Sequence, residues 1–354
     1  MLKFHQLTLK SRLPVAEDAY CLTFAVPEPL RDDYRFLPGQ HLAVRATVNG
    51  RALRRTYSVV SPAGGDLKIG VRVQGEMSRY LAEELPIGEL LEIMTPNGSF
   101  HPRRAAESPK FYVAIAAGSG ITPVLSIIAS VLAADPGCQF LLIYANRSSA
   151  HSMFLEEVLA LKNRYLARFA VHFVMSREPQ DVELFNGRID AAKLRTFAAE
   201  LFDVGRVDEY FLCGPSAMLN TLAAELRALG ATGKVHVEHF GVMANASAAS
   251  NPIKQPTIAN EKAEVTVVMD GRRRTFKMPK NGEFVLDAAE RAGMELPFAC
   301  RAGICSTCRT KLASGTVDMD YNQALEEWEV AAGYVLCCQA RPTSDRIELN
   351  YDEK

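Results

Sequence analysis

Residues 111–134 read FYVAIAAGSGITPVLSIIASVLAA, 24 positions without a charged side chain. Such a run is long enough to cross a bilayer as one helix. Gly118, Gly120 and Pro123 interrupt it near the middle, and a continuous apolar helix tolerates those residues poorly there. The run therefore reads as a strand (Phe111–Ala117), a glycine turn and a helix (Thr122–Ala134). Further apolar runs follow at Phe140–Ala145, Phe169–Met175, Glu209–Cys213 and Val235–Val237. Helical segments at Ser152–Tyr165, Ala191–Leu201 and Ser216–Leu229 separate them. Strand–helix alternation of this kind predicts βαβ units and a parallel sheet. Ligands of such sheets bind at the carboxyl ends of the strands.

Upstream the pattern is different. Turn signals recur at Pro38-Gly39, Asn49-Gly50, Gly64-Gly65 and Pro96-Asn97-Gly98. They bound short apolar runs such as His41–Val48 and Thr56–Val60, and Asn49-Gly50 suits a hairpin because both residues tolerate positive φ. Short strands with regular turns predict a small antiparallel barrel. One helix is expected near Ser78–Glu84, with Ser78 as its cap. Downstream, Met243–Ala263 is rich in Ala, Ser and Asn, holds Pro252 and Pro256, and reads as a linker. A hairpin turned at Asp270-Gly271 and a helix at Val285–Ala292 then precede a cysteine cluster. The expected division is 1–107, 108–241, a linker at 242–263, and 264–354.

Composition narrows the class. Of 354 residues, 48% are hydrophobic, enough for real cores, and 40 basic residues against 41 acidic ones leave no excess for binding nucleic acid. The amino terminus has no apolar signal core. A soluble cytoplasmic protein is expected, with no membrane partner. The last five of the eight cysteines lie within 39 residues. Without an export signal, such clustering favours metal or redox chemistry over disulfides.

Cys300, Cys305 and Cys308 form C-x4-C-x2-C, with Cys337 and Cys338 downstream. This is the plant-type 2Fe-2S spacing. Three thiolates come from one wrapping loop and a fourth closes the cluster from across the fold. Adjacent residues of an extended segment point to opposite sides, so only one of Cys337 and Cys338 faces the cluster. A four-cysteine zinc site is the bland alternative, but it leaves the x4 spacing of Cys300 unexplained.

Arg55-Thr56-Tyr57-Ser58 is R-x-Y-S near a strand. Arginine holds pyrophosphate by paired bonds. Tyrosine packs on a flavin with its hydroxyl bonded. A serine hydroxyl suits the flavin N5 locus. Val71, Val73, Gly75, Met77 and Ser78 follow, and a glycine before a helix is a candidate phosphate turn. Gly118, Ser119, Gly120, Thr122 and Pro123 form the second glycine turn, where a nucleotide pyrophosphate is expected. The next strand ends at Asn146-Arg147 and the third at Ser176-Arg177, which favours a 2′-phosphate and hence NADPH. Cys213-Gly214-Pro215, with Met218, ends the fourth strand and faces the ligand crevice.

Together R-x-Y-S, G-S-G-I-T-P, C-G-P-x-x-M and the plant-type cysteines resemble the ferredoxin–NADP reductase superfamily fused to a carboxyl-terminal ferredoxin. Within it, LRRTYS (53–58), AAGSGITP (116–123), GRID (187–190) and AGYVLCCQA (332–340) are similar to reductase subunits of phenylacetyl-CoA epoxidases, bacterial multicomponent di-iron monooxygenases. The resemblance implies a flavin β-barrel, an α/β nucleotide domain and an α+β, β-grasp ferredoxin domain. It implies an NADPH-dependent reductase that passes electrons through FAD and a 2Fe-2S cluster to an oxygenase component in phenylacetate degradation. A reductase for another ring-hydroxylating or di-iron oxygenase, with NADH as an alternative donor, is the rival within enzymes; a redox sensor is the rival outside them. The implied ligands are Cys300, Cys305, Cys308 and Cys338. The implied catalytic positions are Ser58, Cys213 and Glu238, with Phe240 beside the flavin. The 71–78 stretch lacks the family's two adjacent glycines, and some such relatives carry FMN.

Overall fold

The computed structural model describes residues 3–103, 110–239, 261–280 and 282–353. The linker expected at 242–263 lies outside them as far as residue 260. The chain forms two compact units, Phe4–Gly241 and Val242–Lys354 with the first three residues.

The larger unit opens with six antiparallel strands: β1 (Phe4–Ala16), β2 (Ala19–Ala25), β3 (His41–Val48), β4 (Arg51–Ser58), β5 (Leu67–Arg72) and β6 (Leu90–Met94). Their order is β4-β3-β6-β1-β2-β5. A bridge between Val59 and Ile69 brings the two edges together. Asn49 and Gly50 both take positive φ, as the tight β3–β4 hairpin requires. Alternating residues such as Leu7, Leu9, Leu22, Leu42, Val44 and Ile93 fill the interior.

Helix α1 spans Glu76–Arg79 and continues into a wider turn at Tyr80–Glu84. The expected cap at Ser78 is corrected here. Gly75 caps the helix, and Ser78, three residues in, accepts bonds from Gln74 N and Gly75 N at 2.9 Å each. A serine can bond the same turn from either position, so its presence did not place the boundary.

Five parallel strands follow: β7 (Phe111–Ala117), β8 (Gln139–Asn146), β9 (Phe169–Met175), β10 (Glu209–Gly214) and β11 (Lys234–His239). Between them run α2 (Ile121–Ala134), α3 (Leu155–Arg164), α4 (Ala191–Glu200) and α5 (Ser216–Ala228). The order β11-β10-β7-β8-β9 reverses beside β7, so the glycine turn after β7 opens at the switch point of the sheet. Helix α3 starts three residues later than expected, because Phe154 takes a left-handed φ of 57° and turns into the core. The barrel and the sheet are keyed together. A Cβ on Gly70 would lie 2.5 Å from Thr122 Cγ2 and 2.9 Å from Phe154 Cε2.

One buried ionic group ties the amino-terminal end of this sheet. Glu209, 2% exposed, accepts from Lys110 Nζ at 2.6 Å, His236 Nε2 at 2.8 Å and Arg103 N at 3.0 Å. Burial alone would raise its carboxyl. The bonds from His236, Lys110 and Arg103 N outweigh burial and hold it down at about 2. A depressed folded-state value contributes stability above the unfolded value near 4.5, and that contribution is lost as pH falls toward 2. We expect about 3 kcal/mol to disappear across that window. Denaturant midpoints at pH 7, 4 and 2.5 check it: Glu209→Gln should be less stable at pH 7 and should lose less on acidification.

The carboxyl-terminal unit contains β12 (Lys262–Met269), β13 (Arg272–Pro279), α6 (Val285–Arg291), β14 (Arg309–Ser314), β15 (Val317–Met319), α7 (Glu327–Ala331), β16 (Tyr334–Leu336), β17 (Ala340–Pro342) and β18 (Arg346–Asn350). The main sheet runs β13-β12-β18-β14-β16, with β12 and β18 parallel and α6 packed on its apolar face. Asp270 and Gly271 take positive φ at the β12–β13 turn. Among the described residues of the whole chain, no helix is long and apolar enough to cross a membrane.

Candidate functional site

The cysteine loop lies between α6 and β14. Arg301, Gly303 and Ser306 all take left-handed φ, so the chain coils tightly around the thiols. A Cβ on Gly303 would lie 2.6 Å from Tyr321 O, which leaves that position to glycine. The thiols of Cys300, Cys305, Cys308 and Cys338 lie close enough to act on one another, Cys300 on Cys305 and Cys338, and Cys338 on Cys308. Ala302 N points at Cys300 Sγ at 3.3 Å. Bonds from Cys305, then Cys338, and the backbone N–H groups pull the Cys300 thiol below the usual range.

Cys337 faces the other way. It is fully buried, and Tyr351 Oη donates to its sulfur at 3.0 Å. Burial pushes its thiol up. Among the described residues no three His, Cys, Asp or Glu side chains close on a single ion. Four thiols joined in a chain fit a group with two metal atoms, each taking a pair of sulfurs.

The second constellation is in the larger unit, where the barrel meets the parallel sheet. Alternation along β4 puts Thr56 and Ser58 on one face, Arg55 and Tyr57 on the other. Arg55 is exposed, with Nη1 on Arg54 O at 2.7 Å; Tyr57 is half-buried. Ser58 is 1% exposed, and among the described residues its hydroxyl has no hydrogen-bond partner. A buried hydroxyl without a partner is costly unless a ligand supplies one. Glu238 sits on β11 opposite Cys213 of β10, and its Oε2 is likewise buried and unbonded. Cys213 is fully buried; desolvation first, then the Glu238 charge, raises its thiol well above the usual range. It is a neutral packing group, unlike an activated nucleophile. Phe240 lies outside the described residues.

The phosphate turns behave differently from one another. Gly75 has open space where a Cβ would project, and Gly118 takes φ 55° with only Arg72 Nη1 nearby, 3.7 Å from that point. Ser78, by contrast, spends its hydroxyl on the turn itself. Val71 and Met77 are buried in the barrel, and Val73 N bonds Asp18 O at 2.8 Å. Gly120 is glycine for a packing reason: a Cβ there would lie 2.2 Å from Cys213 O. Thr122 is fully buried and donates to Ser119 O at 2.9 Å, and Pro123 is buried beside it. Both shape the turn from inside. A Cβ on Gly214 would lie 3.0 Å from Ala117 Cβ and 3.1 Å from Met218 Cε, and Pro215 after it is exposed.

Arg147 does not stand free at the end of β8. Its Nη2 pairs with Asp18 Oδ2 of the barrel at 3.0 Å. Arg72, almost buried, reaches the same carboxylate at 3.7 Å and donates to His151 O at 2.6 Å. Nothing local in the sequence marks Asp18 or Arg72, since the partner of Asp18 lies 129 residues away. Asn146 is half-buried, without a well-formed bond from its amide among the described residues. Ser176 and Arg177 are exposed, and their backbone N–H groups bond Asn146 O and Arg147 O at 3.0 and 2.8 Å.

Comparison with known proteins agrees with this layout. Residues 6–101 match the oxidoreductase FAD-binding domain, 114–224 the oxidoreductase NAD-binding domain, and 267–343 the 2Fe-2S iron-sulfur cluster binding domain. The chain is 41% identical to a 1,2-phenylacetyl-CoA epoxidase subunit from Escherichia coli (strain K12), across 100% of this chain and 99% of that one. It is 30% identical to the ferredoxin reductase component of 3-ketosteroid-9-alpha-monooxygenase from Rhodococcus rhodochrous, covering 98% and 96%. In fold it is similar to phthalate dioxygenase reductase, with a TM-score of 0.58, 23% identity and 98% of each chain covered. It is also similar to part of a type IV self-sufficient cytochrome P450 monooxygenase: TM-score 0.67, 24% identity, 98% of this chain but 41% of that one.

Proposed function

Because the chain belongs to the family of FAD-, NAD- and 2Fe-2S-domain reductase components of multicomponent oxygenases, we propose that it serves a phenylacetyl-CoA epoxidase and draws its electrons from NADPH. The observation that carries the electron-transfer reading is the convergence of Cys300, Cys305, Cys308 and Cys338 in one unit, in a chain whose other unit joins a barrel to a parallel sheet. Full-length similarity to the epoxidase component from Escherichia coli supports the choice of oxygenase. The domains we assign are 1–107 for flavin, 108–241 for nucleotide and 264–354 for the cluster, with 242–263 between them. None of the eight cysteines is joined in a disulfide, which suits a reducing cytoplasm.

When bound, the nicotinamide, flavin and cluster supply hydride and single-electron transfer; the chain positions them. The four cysteines hold the cluster. Ser58 donates its unpartnered hydroxyl at the flavin N5 locus. Cys213 lines the nicotinamide with a neutral, apolar sulfur. Glu238 balances charge beside them. Arg55, Thr56, Tyr57 and the 71–78 turn hold the flavin, the 118–123 turn holds the nucleotide, and Ser176 with Arg177 meets a 2′-phosphate. Arg147 joins them by leaving Asp18.

The test is the anaerobic visible spectrum of the purified protein, titrated with NADPH and then NADH. Bleaching of flavin and iron–sulfur bands, faster with NADPH, is expected. Bands that ignore both nucleotides would sink the reading. Arg177→Ala should cut the NADPH-to-NADH rate ratio about ten-fold, the size of one lost charge-assisted bond, and leave the NADH rate in place.

A further inference from the structure

We propose that His41 is a positioning residue for Glu238 and that the two form one unit of the flavin site. The proposal rests on the functional reading above. His41 opens β3 and is only 4% exposed. Its Nδ1 lies 3.5 Å from Glu238 Oε1, whose side chain is 15% exposed. In the β3–β4 ladder His41 stands directly opposite Ser58, so both side chains share one face. In the β10–β11 ladder Glu238 stands opposite Cys213. Two ladders from two different sheets thus bring Ser58, His41, Glu238 and Cys213 to one wall.

The chemistry of that wall is unbalanced without His41. A buried carboxylate needs donors, and Oε2 of Glu238 has none among the described residues. Nδ1 of His41 is the donor that faces the other oxygen. Packing fixes the ring: Gly98 approaches so closely that a Cβ there would lie 3.0 Å from Nδ1, and the His41 backbone exchanges bonds with Asn97 at 2.8 and 3.0 Å. Among the described residues, Cys213 on β10 stands opposite Glu238, Ser58 on β4 stands opposite His41, and the 97–98 turn packs against the ring. With Nδ1–H on Oε1, the carboxylate keeps one orientation, and Oε2, like the Ser58 hydroxyl, is left for a ligand.

Full-length protein with 15N-labelled histidine tests the pair without turnover. In the flavin-free chain, Glu238→Gln should shift the His41 Nδ1 signal, assigned by its loss in His41→Asn. An unmoved signal overturns the pair. In the flavin-loaded chain, His41→Val should slow flavin bleaching about ten-fold, the low end for a misplaced charged group. His41→Asn puts an amide N–H where Nδ1 stands and should restore the rate to within about two-fold. Equal losses in the two variants, or a His41→Val rate matching the wild type, overturn the positioning role. A chain that takes up no flavin sinks the functional reading instead, and the labelled signal still decides the pair.

Discussion

Cys338→Ser should abolish the visible iron–sulfur absorption and reduction of a one-electron acceptor, while flavin bleaching by NADPH continues. Cys337→Ser should keep the cluster bands. The neighbours differ because the segment after β16 turns one sulfur each way. Cys338 meets Cys300 and Cys308, whereas Cys337 is sealed in the core against Tyr351 Oη. Serine at 338 offers a hard, protonated oxygen where a soft thiolate is needed, and one lost ligand of four is enough to release a cluster. Serine at 337 retains a partner for Tyr351 but buries a more polar group, at a cost of about 1–3 kcal/mol in stability. Spectra and thermal melts of both variants separate the roles. Cluster loss in Cys337→Ser with retention in Cys338→Ser would reverse the assignment.

The second large effect is expected at Ser58. Ser58→Ala removes a buried hydroxyl that the protein itself leaves unbonded. Its deletion therefore relieves the ligand-free chain of an unpaired group and costs little in folding. If the hydroxyl serves the flavin N5 locus, flavin reduction should fall about 10²-fold, the order seen when one preorganised donor is deleted. Stopped-flow bleaching at saturating NADPH measures this, with the thermal midpoint as control. A stable variant with wild-type bleaching would place the N5 donor elsewhere. A kinetic loss matched by unfolding would make Ser58 structural.

Much of the architecture is legible in local pattern. The break in the 111–134 run announces the strand–turn–helix unit because glycine and proline act within a few residues of themselves. Asn49-Gly50 and Asp270-Gly271 mark their hairpins because the turns demand positive φ. The spacing of Cys300, Cys305 and Cys308 is a property of one loop. Local reading is weaker where two geometries share one signal. Ser78 bonds the same turn whether it caps the helix or sits three residues inside. Gly120 has the look of a phosphate glycine, yet the Cys213 carbonyl is what excludes a side chain there.

By itself the sequence determined the order of the β-rich, parallel α/β and cysteine-bearing segments, and where the thiols and glycine turns lie along the chain. Periodicity and turn chemistry act over a few residues, so they are written locally. The tertiary structure alone decided which charges meet. Asp18 takes Arg147, Glu209 gathers Lys110 and His236, and His41 stands against Glu238. Each of those pairings joins segments far apart in sequence. Sheet register and the cost of burying an unpaired charge select the partner, and neither can be counted along the chain.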